Sequence, residues 1–127
     1  MTMLLAASML ILTSFFSTVS SAQQQAVVSV GDAYAPVRFN AASDVFIVVD
    51  GVFPNACYHW SHADVQSPSQ FVHEIRAVAD VNDGMCLMML VPFSNEVHLG
   101  TLDAGDQKIL LVNSDGSHFE LNLKIDE

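Results

Sequence analysis

The side chains best suited to chemistry lie in a short segment near the middle of the chain. His59, His62 and Asp64 fall within six consecutive residues, and His73 follows in the next strand-like stretch. Imidazole and carboxylate groups are common ligands of Zn²⁺ and Cu²⁺. In a β-strand His62 and Asp64 share one face whereas His59 points to the other, so only two of these groups converge easily. Two interpretations stay open. The four residues form a Zn or Cu site, or the histidines lie on the surface of a polar strand and bind no metal.

Three methionines close to Cys86 suggest copper, because thioether and thiolate ligands favour Cu(I). They are Met85, Met88 and Met89. A blue-copper site needs a Cys, a His and a Met as successive ligands. Cys86 has no nearby downstream His, and Cys57 has no following Met. The pattern therefore excludes a blue-copper site, and the methionines are predicted to fill gaps in the core.

No catalytic or cofactor-binding motif stands out. Serine does not occur in a G-x-S-x-G context, and no pairing of Lys, Cys or His suggests nucleophilic catalysis. The Asp and Asn residues before Gly84 and Gly116 do not continue into a calcium-binding EF-hand loop and are typical of tight turns. We therefore predict a protein that is not an enzyme and holds no cofactor, with Zn or Cu as the alternative.

The N-terminal segment has the pattern of a secretory signal peptide. Met1–Gln25 contain no charged side chain, and Met3–Phe16 form an apolar run broken only by small or hydroxyl residues. A small-x-small cleavage site, Ser20–Ala22, follows the run. We predict a signal peptide over residues 1–22 and a single domain over residues 23–127. The run is short for a membrane-spanning helix and lacks flanking basic residues, so we expect no stable membrane anchor after cleavage.

The predicted export bears on whether the two cysteines form a disulfide. Export places Cys57 and Cys86 in the periplasm or outside the cell, where paired cysteines are oxidised. We predict a disulfide between them, which would stabilise the fold by about 3–4 kcal/mol by closing a loop of about 30 residues. The competing interpretation is a thiolate metal ligand or a reactive thiol.

The excess of acidic residues limits the classes of molecule that the protein can bind. Fourteen Asp and Glu residues against four Lys and Arg residues give a formal net charge of −10. Such a surface repels nucleic-acid phosphates and anionic lipid head groups. We therefore predict no nucleic-acid partner. The acidic surface is predicted to keep the protein in solution outside the cell, and the alternative is an acidic docking patch for a protein partner whose identity the sequence leaves open.

Short runs rich in Val, Ile and Phe alternate with turn signals along the rest of the chain, and no stretch has helical periodicity. The predicted strands are Ala26–Val30, Val37–Phe39, Asp44–Phe53, Cys57–Gln66, Phe71–Val81, Met85–Val91, Val97–Leu99, Gln107–Asn113 and His118–Ile125. Ser67–Ser69 is predicted to be a loop, and Ser114–Gly116 the turn of a hairpin. Seven to nine short strands at this spacing favour an all-β fold, an immunoglobulin-like antiparallel β-sandwich with one disulfide.

Three parts of the sequence carry a resemblance to a known class of domain. The run Val97–Gly105 resembles the corner of immunoglobulin-like and fibronectin type III-like sandwiches, although Lys108 stands where those domains often have a tyrosine. Phe53–Tyr58, Met85-Cys86 and Val91–Phe93 together are similar to small bacterial exported immunoglobulin-like domains. The resemblance implies the architecture and brings no active site with it.

Two functions from different classes follow. The leading hypothesis is a non-catalytic exported interaction module, because sandwiches present loops or edge strands to partners. Apolar side chains predicted on an outer face motivate it, namely Phe46, Val48, Val72 and Val78. The alternative is a periplasmic or extracellular protein that binds Zn or Cu through His59, His62, Asp64 and His73. The oligomeric state is left open.

Overall fold

The computed structural model describes residues 24–127, which form nine strands and no helix. The strands are β1 Gln24–Val28, β2 Asp32–Tyr34, β3 Phe39–Asn40, β4 Val45–Phe53, β5 Tyr58–Ser69, β6 Val72–Val81, β7 Val91–Gly100, β8 Gly105–Val112 and β9 His118–Asp126. The predicted signal peptide lies outside the described residues. Within residues 24–127, no helix is long and apolar enough to cross a membrane.

The larger sheet has six strands and is organised around β6. One edge of β6 pairs with β5, antiparallel and over nearly its whole length. The other edge is shared, since Val72–Ile75 pair in parallel with β8 and Ala77–Val81 pair antiparallel with β1. Beyond β8 the sheet continues through β9, which is antiparallel to β8, to β3, which is parallel to β9. Two parallel pairs therefore occur in an otherwise antiparallel fold.

The smaller sheet has three antiparallel strands in the order β2-β4-β7. Its middle strand, β4, is the apolar run predicted as a central strand. Phe46 to Phe53 pair with His98 to Val91 without interruption, and the register shifts only at Val45. The predicted all-β sandwich with one disulfide is confirmed.

The core between the sheets follows from the alternation of apolar side chains along the strands. In β4, Val45, Ile47 and Val49 are completely buried while the residues between them are partly exposed, as expected of a strand with one face on the core. Ile109 and Leu111 of β8 meet this layer from the larger sheet and are also completely buried. The larger sheet thus packs on the smaller one through fully buried Val, Ile and Leu side chains.

The hairpin between β8 and β9 has the predicted turn. The Asn113 backbone N–H donates to the Ser117 carbonyl oxygen at 2.8 Å, and Gly116 takes a φ of +85°. Glycine adopts this left-handed conformation without the steric penalty of a Cβ. Ser117 also donates to Asp115 Oδ1, from its hydroxyl at 2.5 Å and from its backbone N–H at 2.9 Å.

These two hydrogen bonds hold the pKa of the Asp115 carboxyl below its ordinary value of 3.8, and the bond from the hydroxyl has the larger effect. Because the pKa is lower in the folded state, the hydrogen bonds stabilise the hairpin above about pH 4, and this contribution is lost as the pH falls through the folded-state pKa. An NMR titration should give a pKa below 3.8 for Asp115. Ser117→Ala should raise it, whereas Ser114→Ala in the same turn should not; equal effects would contradict this assignment.

Four predicted assignments of strands and loops were wrong. The strand β5 runs through Ser67–Ser69, which was predicted to be a loop, and β2 forms between the predicted strands Ala26–Val30 and Val37–Phe39, where no strand was predicted. The predicted strand Met85–Val91 does not form, because β6 and β7 belong to different sheets and the chain crosses between them here. Its final residue instead begins β7, which is much longer than the predicted Val97–Leu99.

Candidate functional site

The structure brings together two of the four residues predicted to bind metal. His62 Nε2 lies 3.1 Å from Asp64 Oδ1, and both side chains are exposed on β5. The Ser61 hydroxyl lies 2.8 Å from the other ring nitrogen of His62. His59 is exposed elsewhere on the strand, where it pairs in register with Asp80 of β6.

His73 lies apart from the other three because its side chain points into the sandwich. The ring is buried, with Ser67 Oγ 2.7 Å from Nδ1 and Gln107 Oε1 2.8 Å from Nε2. The Gln107 amide nitrogen donates to the Asp103 carbonyl oxygen at 2.9 Å, so its Oε1 accepts from His73 Nε2–H. The Ser67 hydroxyl is the partner of Nδ1, so both ring nitrogens of His73 are hydrogen-bonded.

The part of the chain that the structure describes therefore lacks a metal-binding cluster of the usual kind. It contains no group of three or more His, Cys, Asp or Glu side chains placed to hold a metal ion. The alternation along β6 explains the separation, since His73 shares the inward face with Ile75 and Ala77.

The buried pair of His73 and Gln107 is expected to stabilise the fold. Gln107→Leu removes the acceptor of His73 Nε2–H and the donor to the Asp103 carbonyl, and it should lower the free energy of unfolding by about 1–3 kcal/mol. Urea denaturation measures the change. Gln66→Leu, at an exposed position of β5, is the matched control and should change it by less than about 0.5 kcal/mol. Equal effects of the two variants would show that the pair contributes nothing.

The tethered segment, residues 82–90, connects β6 to β7 and lies against the β4–β5 connection. A disulfide joins Cys86 to Cys57, with the two Cα atoms 5.4 Å apart. The Ala56 backbone N–H donates to the Leu87 carbonyl oxygen at 3.1 Å, and the Asn82 N–H donates to the Cys57 carbonyl oxygen at 3.0 Å. The segment is thus held to the sandwich at three points without being part of either sheet.

Four side chains of the tethered segment, those of Met85, Leu87, Met88 and Leu90, are the most exposed large apolar groups among the described residues, and Met89 between them is also exposed. Met85 is fully exposed, and the exposed fractions of the next four are 72% for Leu87, 86% for Met88, 53% for Met89 and 71% for Leu90. The prediction that the methionines fill the core was therefore wrong. Exposed Leu and Met side chains are ordinary when scattered, but a contiguous group of this size marks an interaction surface.

The apolar patch expected from Phe46, Val48, Val72 and Val78 is not where the apolar surface lies. Val78 is buried, and the other three are half-buried. The prediction of an exposed patch at these four residues was therefore wrong, and the contiguous exposed apolar side chains lie on the tethered segment, which was predicted to be a strand.

The sequence on either side of the tethered segment is acidic. No Lys or Arg occurs between Arg76 and Lys108, whereas Asp80, Asp83 and Glu96 lie in that span. Arg76 and Lys108 each contact an acidic neighbour, with nitrogen–oxygen distances of 3.6 Å to Glu74 and 3.8 Å to Glu120. The sequence around the exposed apolar group thus offers carboxylates and no nearby basic residue.

The fold and the disulfide together define an all-β sandwich domain of a non-reducing environment. The chain belongs to the family of the ORF11 β-sandwich domain, whose family model matches residues 47–123. This span begins in β4, ends in β9 and includes the tethered segment. Comparison with curated proteins and with solved structures gave no match.

Proposed function

We propose that the protein is a non-catalytic exported interaction module that binds a protein partner through the tethered segment. The observation that carries this proposal is the contiguous exposure of Met85, Leu87, Met88, Met89 and Leu90. Full burial of one such side chain is favourable by about 1.5–3 kcal/mol. Covering the group would therefore supply a large part of the free energy of a stable complex.

The disulfide supports this role because it restricts the tethered segment before a partner binds. Ordering a flexible loop on binding costs free energy, and a cross-link lowers that cost. Cys86 sits inside the exposed apolar run, directly after Met85 and before Leu87. The cross-link therefore holds the backbone where the contact is proposed to form.

The proposed location is the periplasm or the extracellular space. The signal-like N-terminal sequence and the disulfide both support it. The domain resembles immunoglobulin-like sandwiches in architecture only. We propose no enzyme activity for it. An analogy of fold does not transfer a function, so the tethered segment alone carries the argument.

Site-specific photo-cross-linking in the exporting cell tests the proposal. A photoreactive phenylalanine analogue at Met88 should give a discrete cross-linked product with another protein. The same analogue at Val37, an exposed apolar position between β2 and β3, is the matched control and should give none. Leu87→Ser combined with Leu90→Ser should abolish the Met88 product. Equal cross-linking from Met88 and Val37, or none from either, would sink the proposal.

A further inference from the structure

Two long strands of the described residues have an edge without a hydrogen-bonded neighbour, β5 in the larger sheet and β7 in the smaller one. The edge of β5 is unsuited to a further strand. Its register is irregular between Trp60 and His62 and between Gln66 and Ser69, and Pro68 lacks a backbone N–H. Bulges and proline are common ways in which edge strands avoid pairing with other chains.

The edge of β7 is long and regular. Its pairing with β4 is continuous from His98 to Val91, and its only proline, Pro92, is near its start. Phe93 and Val97 are buried, while Ser94 and Glu96 are exposed between them. A strand beside β7 would therefore place alternate side chains towards the apolar interior and the others beside Glu96.

The tethered segment runs directly into β7, since Leu90 and Val91 are consecutive. We propose that an extended, alternating basic and apolar segment of a partner protein adds to the free edge of β7 as a fourth strand. Strand addition of this kind takes its affinity from backbone hydrogen bonds and its specificity from alternate side chains. This inference rests on the proposed interaction function and states the chemistry of the partner.

The charges favour a basic partner over a second copy of this chain. Each copy carries a formal net charge of −10, so two copies repel each other. The sequence span that contains the tethered segment and β7 holds Asp83 and Glu96 and no Lys or Arg. Lysine or arginine side chains of a strand beside β7 would meet the carboxylate of Glu96, which lies 3.3 Å from His98 Nε2, whereas an acidic partner would be repelled.

A designed peptide tests strand addition directly. The probe is a nine-residue peptide of alternating valine and lysine with blocked ends, and its counterpart carries glutamate in place of lysine. Fluorescence anisotropy with the purified protein should show binding of the lysine peptide, at least ten-fold tighter than that of the glutamate peptide. In hydrogen exchange followed by NMR, alternate amides of Val91–Gly100 should gain protection. Absence of binding by the lysine peptide, or protection confined to residues 82–90, would overturn the inference.

Two N-methylated forms of the lysine peptide separate strand addition from a purely apolar contact. One is methylated at the even-numbered residues and the other at the odd-numbered residues, so each keeps only one edge able to donate hydrogen bonds. One form should bind like the parent and the other at least ten-fold more weakly. Equal binding of both forms would refute strand addition and leave the proposed apolar contact untouched.

Charge reversal gives the matched protein variants. Glu96→Lys should weaken binding of the lysine peptide at least five-fold. Asp106→Lys makes the same change of net charge at an exposed position of β8, and it should leave the affinity within two-fold. Equal weakening by both variants would show that only the net charge matters. The Met88 cross-linking experiment is independent of this peptide, so failure of the strand inference and failure of the proposed function can be told apart.

Discussion

Replacing Cys57 and Cys86 together with serine is expected to lower the free energy of unfolding by about 3–4 kcal/mol, because the disulfide closes a loop of about 30 residues. The loss should be large relative to a total stability of about 5–15 kcal/mol. The chain between these cysteines includes the whole of β5 and β6, so the cross-link restricts the unfolded chain over one edge strand of the larger sheet and the central strand beside it.

Chemical denaturation under oxidising conditions measures this change. Reducing the disulfide of the unchanged protein is the matched control and should give a similar loss, since it opens the same cross-link. Ser61→Ala, between the cysteines on β5, should have little effect. If the double serine variant unfolds within about 0.5 kcal/mol of the parent, the cross-link adds no stability and acts only on the conformation of residues 82–90.

Phe93→Ala is the second change for which we expect a large effect, about 3–5 kcal/mol of lost stability. The ring is buried and stacks on Phe53, with centroids 4.3 Å apart and an interplanar angle of 21°. The Trp60 ring lies 5.8 Å away on the opposite sheet. Truncation would remove the aromatic contact between β4, β5 and β7. Ser94→Ala, the exposed neighbour, is the control and should change stability by less than about 0.5 kcal/mol.

Gly51 supplies a second way to test the same packing. It pairs in register with Phe93, and a Cβ at this position would lie 2.6 Å from the Phe93 Cε1 atom and 3.0 Å from the Ser29 carbonyl oxygen. Gly51→Ala should therefore cost about 1–3 kcal/mol through overpacking. In the Phe93→Ala background the same change should cost less, because the ring is gone. Additive effects in this double-mutant cycle would contradict the packing described.

Some core strands of each sheet were predictable because their side chains alternate between apolar and polar or are uniformly apolar. Val45–Phe53 and His118–Asp126 nearly coincide with their predictions, and the turn at Gly116 was found from its Asp-Gly pair. The disulfide was predictable from the number of cysteines and the signal-like N-terminus. None of these features requires knowledge of contacts between distant residues.

The tethered segment could not be predicted because a run of Met and Leu has the composition of a buried strand. Only the arrangement of strands shows that β6 and β7 lie in different sheets, which leaves residues 82–90 between them. His73 is different, since a signal was present in the sequence. It occupies the same face as Ile75, Ala77 and Ala79, and that register indicates a buried histidine rather than a ligand on the surface.

The shared edge of β6 has a consequence for the order in which the fold assembles. During synthesis the residues of β1 are made first, yet Val28 pairs with Ala77 and Gln24 with Val81, about 50 residues later. The parallel pairing of Val72–Ile75 with β8 must wait longer still. Such non-local contacts slow folding, because the entropy of closing a long loop is lost before the contacts can contribute favourable free energy. We expect the nascent chain to stay unfolded until β8 has emerged, a delay that is compatible with the proposed export, in which the chain would cross a membrane unfolded.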